Sequence, residues 1–162
     1  MHDVKIRAVR AGDAAAVAAL AEELGYPTAA EEMAPRITAL ASSPEDAVFV
    51  AVLGLTPVAW IHVACVTLLE SPRYAEIRGL VVTSSLRGRG IGKRIFLELL
   101  KIAHNEGCGR FEWSVLDWNQ PAIDFYERLG AKPQGEWIRY RLDQDQISTL
   151  AQSGLAPKAR ID

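Results

Sequence analysis

The sequence predicts a single α/β (α+β) domain built on a twisted, mixed but mainly antiparallel sheet of about six to seven strands flanked by about four helices. Three observations lead there. Two runs rich in β-branched and aromatic residues, "AVFVAVL" and "VAWIHVACV", stand on either side of the turn "GLTP" and read as a β-hairpin. A strand–loop–helix–strand order follows in mid-chain, through "AEIRGLVV", "RGRGIGKR", "IFLELLKIA" and "RFEWSVLDW". The chain has 162 residues, 49% of them hydrophobic, which suffices for one buried core and is short for two. The domain accordingly spans 1–162, with a core over about 3–142 and a tail over 143–162.

Taken in order, residues 3–10 alternate Val4, Ile6 and Ala8 with cationic partners, as a half-buried strand does. Asp13 caps an alanine-rich helix that runs through Leu24 and stops at Gly25. Thr28 with Glu31 makes a capping box for a second helix to Ala41, kinked or restarted at Pro35. The hairpin occupies 47–53 and 58–66, and 75–82 adds a strand to its sheet. A helix over Ile91–Asn105 presents Ile91, Ile95, Leu99 and Ile102 as its apolar stripe and ends at Gly107. Residues 110–118 are a strand, and 119–130 a short helix with Asn119 at its cap, Pro121 in its first turn and Gly130 at its end. A last strand covers 135–142, and beyond Asp143 the chain is polar and weakly patterned.

Bulk properties narrow the function. The formal net charge of −2 argues against a broad nucleic-acid surface but leaves room for a local basic site. No stretch reaches the ~18 apolar residues that a bilayer span needs, and "MHDVKIRAVR" has no leader-like apolar segment. Cys65 and Cys108 lie in apolar segments without a CxxC spacing, as reduced thiols would. The expectation is a cytoplasmic protein without membrane or nucleic-acid partners. The three histidines form no metal-like spacing, so no metal is expected. Of the four tryptophans, core or rim packing accounts for at least three, with Trp118, beside Asn119, the one to watch as a ligand contact.

The informative stretch is "RGRGIGKR". A strand ending at Val82 and a helix starting near Gly90 leave the amides of the first helical turn without partners, and the helix dipole adds to their pull on an anion. Glycines at 88, 90 and 92 remove Cβ atoms that would hold a diphosphate off those amides. Arg87, Arg89, Lys93 and Arg94 put cations at the rim. Two familiar phosphate loops fail on spacing. A P-loop needs glycine where Arg87 stands and Ser or Thr where Arg94 stands. A dinucleotide fingerprint starting at Gly88 needs glycine or alanine where Lys93 stands. What remains is Arg-x-x-Gly-x-Gly, carried by Arg87, Gly90 and Gly92.

That arrangement resembles the acetyl-CoA motif of the GNAT N-acetyltransferase superfamily, Gln/Arg-x-x-Gly-x-Gly/Ala between a strand and a helix. "LVVTSSLRGRGIGKRIFLELLKIA" and, further on, "VLDWNQPAIDFYERLGA" both match in order and spacing, the second being most similar to the diamine acetyltransferase branch. The resemblance covers about 75–142. It implies that Leu80, Val81 and Val82 present backbone groups to the pantetheine arm as an added strand would meet them. It implies that Arg87, Gly88, Arg89, Gly90, Ile91, Gly92 and Lys93 hold the diphosphate. Asn119 would reach the pantetheine, Ala122 and Phe125 would wall the channel, and Tyr126 would stand near the thioester sulfur. A homodimer is implied by family analogy alone.

Amine attack on a thioester needs a neutral amine, an oxyanion site and a proton for the departing thiolate. Tyr126 suits the last task, since a phenol of pKa about 10 stays protonated at neutral pH. Glu76, an acidic residue in an otherwise apolar strand, is the candidate base, beside the equally natural reading of a residue paired with Arg78. His62 is the second candidate. An oxyanion donor would be a backbone N–H near Val82. The diamine branch carries an acidic pair before its cofactor strand where this chain has Ile77, Arg78 and Gly79, so the acceptor stays open among a small amine, an amino acid, an amino sugar and, less so, a protein amine. The alternative of a non-catalytic acetyl-CoA sensor has no use for Tyr126 and Asn119 together. A phosphotransferase lacks the Ser or Thr after Lys93.

Overall fold

The alternation of Val4 and Ile6 with Lys5 and Arg7 delivers strand β1 (Val4–Ala8), the first element of a computed structural model that describes residues 4–153. The chain divides into two compact units, Met1–Ser114 and Val115–Asp162. In the first, β1 is followed by helices α1 (Ala14–Glu23) and α2 (Ala30–Ala41), the hairpin β2 (Asp46–Leu53) and β3 (Thr56–Val66), strand β4 (Tyr74–Val82), helix α3 (Ile91–Asn105) and the short strand β5 (Phe111–Trp113). The sheet order is β1-β2-β3-β4-β5. The first three pairings are antiparallel and β4–β5 is parallel. The mixed, mainly antiparallel sheet is thus as the sequence predicts, with five strands among the described residues.

The pleat sorts side chains onto two faces. On one, Val48, Val50, Val52 and Trp60 pack with Val9, Ala14, Val17 and Ile37 beneath α1 and α2. On the other, fully buried Ile61 and Val63 of β3 share the core with Ile95 and Leu99 of α3. Phe96 of α3 meets Phe111 and Trp113 of β5 with ring centroids 5.5 and 5.4 Å away. The observed stripe of α3 is Ile91, Ile95, Phe96, Leu99 and Ala103, a wider band than the sequence reading, with Ile102 at its half-buried margin. A β-bulge interrupts the β3–β4 pairing at His62: the register slips so that His62 faces Gly79 while Val63 faces Ile77. Gly79 makes room for Trp60, since a Cβ there would lie 2.7 Å from Cη2 of that ring and the indole would have to shift.

Several local expectations give way to other contacts. Asp13 stands at the start of α1 without capping it. Its carboxylate turns back to accept the Arg10 amide at 2.8 Å and a forked pair of bonds from Arg7 at 2.7 and 2.8 Å. Thr28 donates to the Tyr26 carbonyl and α2 starts later, with Ala29 at its cap, so the predicted capping box is absent. Pro35 does not break α2. The carbonyl it deprives of a donor belongs to exposed Glu31, which water can satisfy. Gly25 ends α1 as expected, its amide bonding Glu22 O at 2.9 Å while Tyr26 N bonds Ala21 O at 3.0 Å.

In the second unit, helix α4 (Gln120–Arg128) carries Asn119 at its cap, the side chain accepting from Ala122 N at 3.4 Å, with Pro121 in the first turn. The strand expected over 110–118 is laddered only at Phe111–Trp113. The strand expected over 135–142 does not form among the described residues: that stretch joins no ladder, and Trp137 is 81% exposed. The supposedly unpatterned tail instead holds helix α5 (Gln144–Gln152), opened by a reciprocal box in which Asp143 accepts from Gln146 N at 2.9 Å and Gln146 accepts from Asp143 N at 2.9 Å. The described residues thus hold five α-helices, against the expected about four.

Candidate functional site

The edge of β4 is the first component. Thr83 N bonds Val58 O at 2.9 Å, so by the alternation of an antiparallel ladder Val81 points its backbone groups to β3 while Leu80 and Val82 point theirs away. On that far side β5 pairs only with Ala75, Glu76 and Ile77. Beyond Ile77, no described strand pairs with β4 there. Leu80 and the Val82 amide therefore offer main-chain groups to an extended ligand, the Val82 carbonyl being taken by Arg87 Nε, whereas Val81 buries its side chain beneath the helices.

The edge runs directly into the glycine loop. Gly88 and Gly90 have φ of +75° and +78°, a region that a side chain disfavours by about 1–2 kcal/mol, and a Cβ on either would meet nothing within 4 Å. Gly90 caps α3 and has no side chain to satisfy the first turn. The first backbone bond of that turn is Arg94 N to Gly90 O. Among the described residues, the amides of Gly88 to Lys93 have no backbone acceptor. The loop is open, lacks obstructing side chains and presents convergent N–H groups, which fits a diphosphate.

The four cations of the loop do not act alike. Arg89 and Lys93 are exposed and, among the described residues, form no ion pair. Arg94 leaves the rim, contrary to expectation, and donates to Val4 O at 2.8 Å, pinning α3 to β1. Arg87 folds back, its Nε donating to Val82 O at 3.0 Å and its Nη2 lying 3.6 Å from Glu23. Glu23, at the end of α1, also accepts from Thr83 Oγ1 at 2.8 Å and Ser84 N at 2.7 Å. The Thr83 hydroxyl bond and the Ser84 amide bond hold its carboxyl below the usual carboxylate range. Glu23 thus ties α1 to the entrance of the loop, a role with no signature in the local sequence because its partners lie some sixty residues away.

A polar patch forms where the α1/α2 face of the sheet runs out of apolar cover. Asp46, Ala64, Glu76 and Glu112 sit in one row across β2, β3, β4 and β5, and Val48, His62 and Gly79 in the next. His62 Nε2 lies 2.7 Å from Asp46 Oδ1, and Ser43 Oγ donates to Asp46 Oδ2 at 2.6 Å. Burial opposes ionisation of Asp46, but the Ser43 and His62 bonds and the nearby His62 and Arg78 charges outweigh it and keep the carboxyl below its usual range. An ionised Asp46 accepts, so Nε2 of His62 donates, and in the neutral imidazole Nδ1 is then the nitrogen that can take up a proton. Glu76 is paired with Arg78 at 2.9 Å, and Glu112 with Arg110 at 2.6 Å. Both candidate bases thus share one patch. Asp46 was missed in the sequence, although counting outward from the hairpin turn places it diagonally opposite His62.

In the second unit, Ala122, Phe125 and Tyr126 recur at helical spacing on α4, the rings of Phe125 and Tyr126 5.2 Å apart and edge-on. Tyr126 is half-buried, and burial raises its phenol pKa, which keeps the proton on at neutral pH. Trp118 and Trp137 are 73% and 81% exposed, so packing accounts for only Trp60 and Trp113 of the four. A groove of ≈ 480 Å³ between β1 and α3, lined by Ile6, Arg94, Leu97 and His104 among others, opens on the other face of the sheet from the polar patch. Among the described residues, no group of three or more His, Cys, Asp or Glu could hold a metal ion, and no helix is long and apolar enough to cross a membrane.

Comparison with known proteins agrees with this arrangement. The family model described as Acetyltransferase (GNAT) family matches residues 14–131. A thialysine N-epsilon-acetyltransferase of Mus musculus is 34% identical over 82 residues, 49% of this chain and 48% of that protein. An L-ornithine N5-acetyltransferase of Arabidopsis thaliana is 38% identical over 74 residues, 46% of this chain and 32% of that protein. The match to the mouse protein thus spans about half of its length. Among solved structures, an aminoglycoside N-acetyltransferase in complex with CoA superposes with a TM-score of 0.75 at 17% identity, covering 86% of this chain and 95% of that one, a likeness of fold.

Proposed function

The chain belongs to the acetyltransferase (GNAT) family, and on that premise we propose that it moves the acetyl group of acetyl-CoA to the primary amine of a small molecule, by direct attack within a ternary complex. The observation that carries the reading is the succession of main-chain groups that leads from the open edge of β4 at Leu80 and Val82, where Arg87 Nε occupies the Val82 carbonyl, to the amides of Gly88 to Lys93, which have no backbone acceptor among the described residues. An extended amide-bearing arm that ends in a diphosphate is complementary to that run, hydrogen bond for hydrogen bond. Bound there, acetyl-CoA supplies the activated acyl group. Arg89 and Lys93 add positive charge, and Arg87, released from Val82 O, can turn toward the phosphates.

The remaining roles fall to side chains. His62, oriented by Asp46, takes the proton of the incoming ammonium through Nδ1, directly or through one water, with Glu76 held in its pair with Arg78 at the border of the same patch. The Val82 N–H on the open edge is the donor for the developing oxyanion. Tyr126, with its proton retained by burial, protonates the departing thiolate. Asn119, Ala122 and Phe125, carried by the cap and body of α4, are the residues that the family resemblance assigns to the pantetheine arm. The test is titration calorimetry with acetyl-CoA, followed by an amine panel monitored through release of free CoA thiol. A protein that takes up no acetyl-CoA would refute the reading outright.

A further inference from the structure

Resting on that reading, we propose that Arg78 selects an acceptor amine that also carries an oxyanion, a carboxylate or a phosphate, rather than a polyamine. The bulge in β4 is the origin of the argument. Because the register slips between His62 and Val63, Arg78 and Gly79 together stand opposite His62. This places a guanidinium beside the Asp46–His62 pair, close enough that its charge helps hold the Asp46 carboxyl down. Arg78 is paired with Glu76 through one nitrogen, Nη1, at 2.9 Å, and its side chain is 45% exposed. The guanidinium fork has five N–H donors, and among the described residues Glu76 is its one ion-pair partner, which leaves donors for a second oxyanion.

The charge balance of the patch points the same way. Glu76 and Glu112 are neighbours in register, and each is matched by an arginine, Arg78 and Arg110. What remains near His62 is the Asp46 carboxylate, enough to attract one ammonium group. A diamine brings two or more positive charges and would press one of them against Arg78. An amino acid with a side-chain amine, or a phosphorylated amino sugar, brings one ammonium for the Asp46–His62 pair and one oxyanion for Arg78. Forked guanidinium–oxyanion pairing fits both anions geometrically.

The test uses acceptors that differ only in the anion. Ornithine is compared with putrescine, lysine with cadaverine, and glucosamine 6-phosphate with glucosamine, each at saturating acetyl-CoA. The wild-type protein is expected to favour the anionic member of at least one pair by about 10-fold or more in kcat/KM, and the pair showing it distinguishes carboxylate from phosphate. Arg78→Ala is expected to collapse that ratio toward unity and Arg78→Glu to invert it; Arg78→Lys, which keeps the charge without the fork, should retain part of it. Equal or better use of the anion-free members by the wild type, or an unchanged ratio in Arg78→Ala, overturns the proposal while acetyl-CoA binding and turnover leave the acetyltransferase reading standing. Absence of acetyl-CoA binding ends both.

Discussion

Removing the Glu23 carboxylate separates loop positioning from general stability. In the structure its two oxygens hold the Thr83 hydroxyl at 2.8 Å and the Ser84 amide at 2.7 Å, with Arg87 3.6 Å away. Hydrogen bonds to a charged acceptor contribute roughly 1.5–3 kcal/mol each when sheltered. Glu23 has a side chain 30% exposed and Ser84 is exposed, so water replaces much of what is lost, and about 2 kcal/mol in total is a reasonable ceiling. If about 1.4 kcal/mol of that goes into holding the loop ready for the diphosphate, Glu23→Ala weakens acetyl-CoA binding about 10-fold. Glu23→Gln should fall between, since it keeps an acceptor oxygen but offers Arg87 no charge.

The assay is calorimetric Kd for acetyl-CoA alongside kcat at saturating cofactor. A positioning role raises Kd and leaves kcat within about 2-fold, because once the loop is occupied the chemistry is unaffected. The pH dependence gives an independent check. Glu23 has its carboxyl depressed by the Thr83 and Ser84 bonds, so its contribution is complete above the unfolded carboxylate value of about 4.3 and fades as pH falls through the depressed folded value. The gap between wild type and Glu23→Gln should close only in acid. An unchanged Kd in Glu23→Ala, or a gap that closes near neutrality, would falsify the latch.

Three other outcomes are expected. Tyr126→Phe should lower kcat roughly 100-fold or more with acetyl-CoA Kd unchanged; unaltered turnover at saturating cofactor removes the tyrosine from the mechanism. Gly92→Val should abolish acetyl-CoA binding with only a modest fall in Tm, since position 92 needs no positive φ and its Cβ would stand 3.5 Å from Val82 Cγ2 at the mouth of the loop; wild-type affinity would show that the diphosphate lies elsewhere. Gly90→Val is a poorer probe, because its φ of +78° adds backbone strain of its own. Asp13→Asn should cost about 2–3 kcal/mol, a Tm lower by about 4–12 °C for a chain of this size. The Arg7 bond dominates the lowering of the Asp13 carboxyl, so this difference holds above about pH 4 and vanishes as pH falls through the folded value; a difference that persists in strong acid would assign the effect to packing.

What could be read from the sequence divides along the range of the interactions involved. The hairpin, the body of α3, the Gly25 end of α1 and the Asn119 cap of α4 depend on patterns within a few residues, and the structure has them where expected. Thr28 was misread because a capping signature competes with other local bonds, and its hydroxyl goes to Tyr26 O instead. Arg94 was placed with the loop cations because sequence records that a charge is present but not which way a side chain leaves its helix. The stretch 135–142 has strand-like composition, yet a strand exists only with a partner ladder, which local pattern cannot supply. The reciprocal box of Asp143 and Gln146, by contrast, lies within four residues, and the helix it opens is set in a polar, weakly patterned stretch.

The site follows the same division, and this bears on how its specificity could change. The proposed cofactor surface is made almost wholly of main chain: the open edge of β4, the glycine turn and the first turn of α3. Such a surface needs glycines at fixed spacing and little else, which is why a short motif announces it. The proposed acceptor surface is made of side chains brought together by register, with Asp46, His62, Glu76 and Arg78 contributed by three strands. None of the four belongs to the buried apolar core. Exchanging Arg78 for an acid should therefore redirect the amine preference without disturbing cofactor binding, and measurable cross-talk between the two, a shift in acetyl-CoA Kd on changing Arg78, would show that the bulge couples the surfaces rather than separating them.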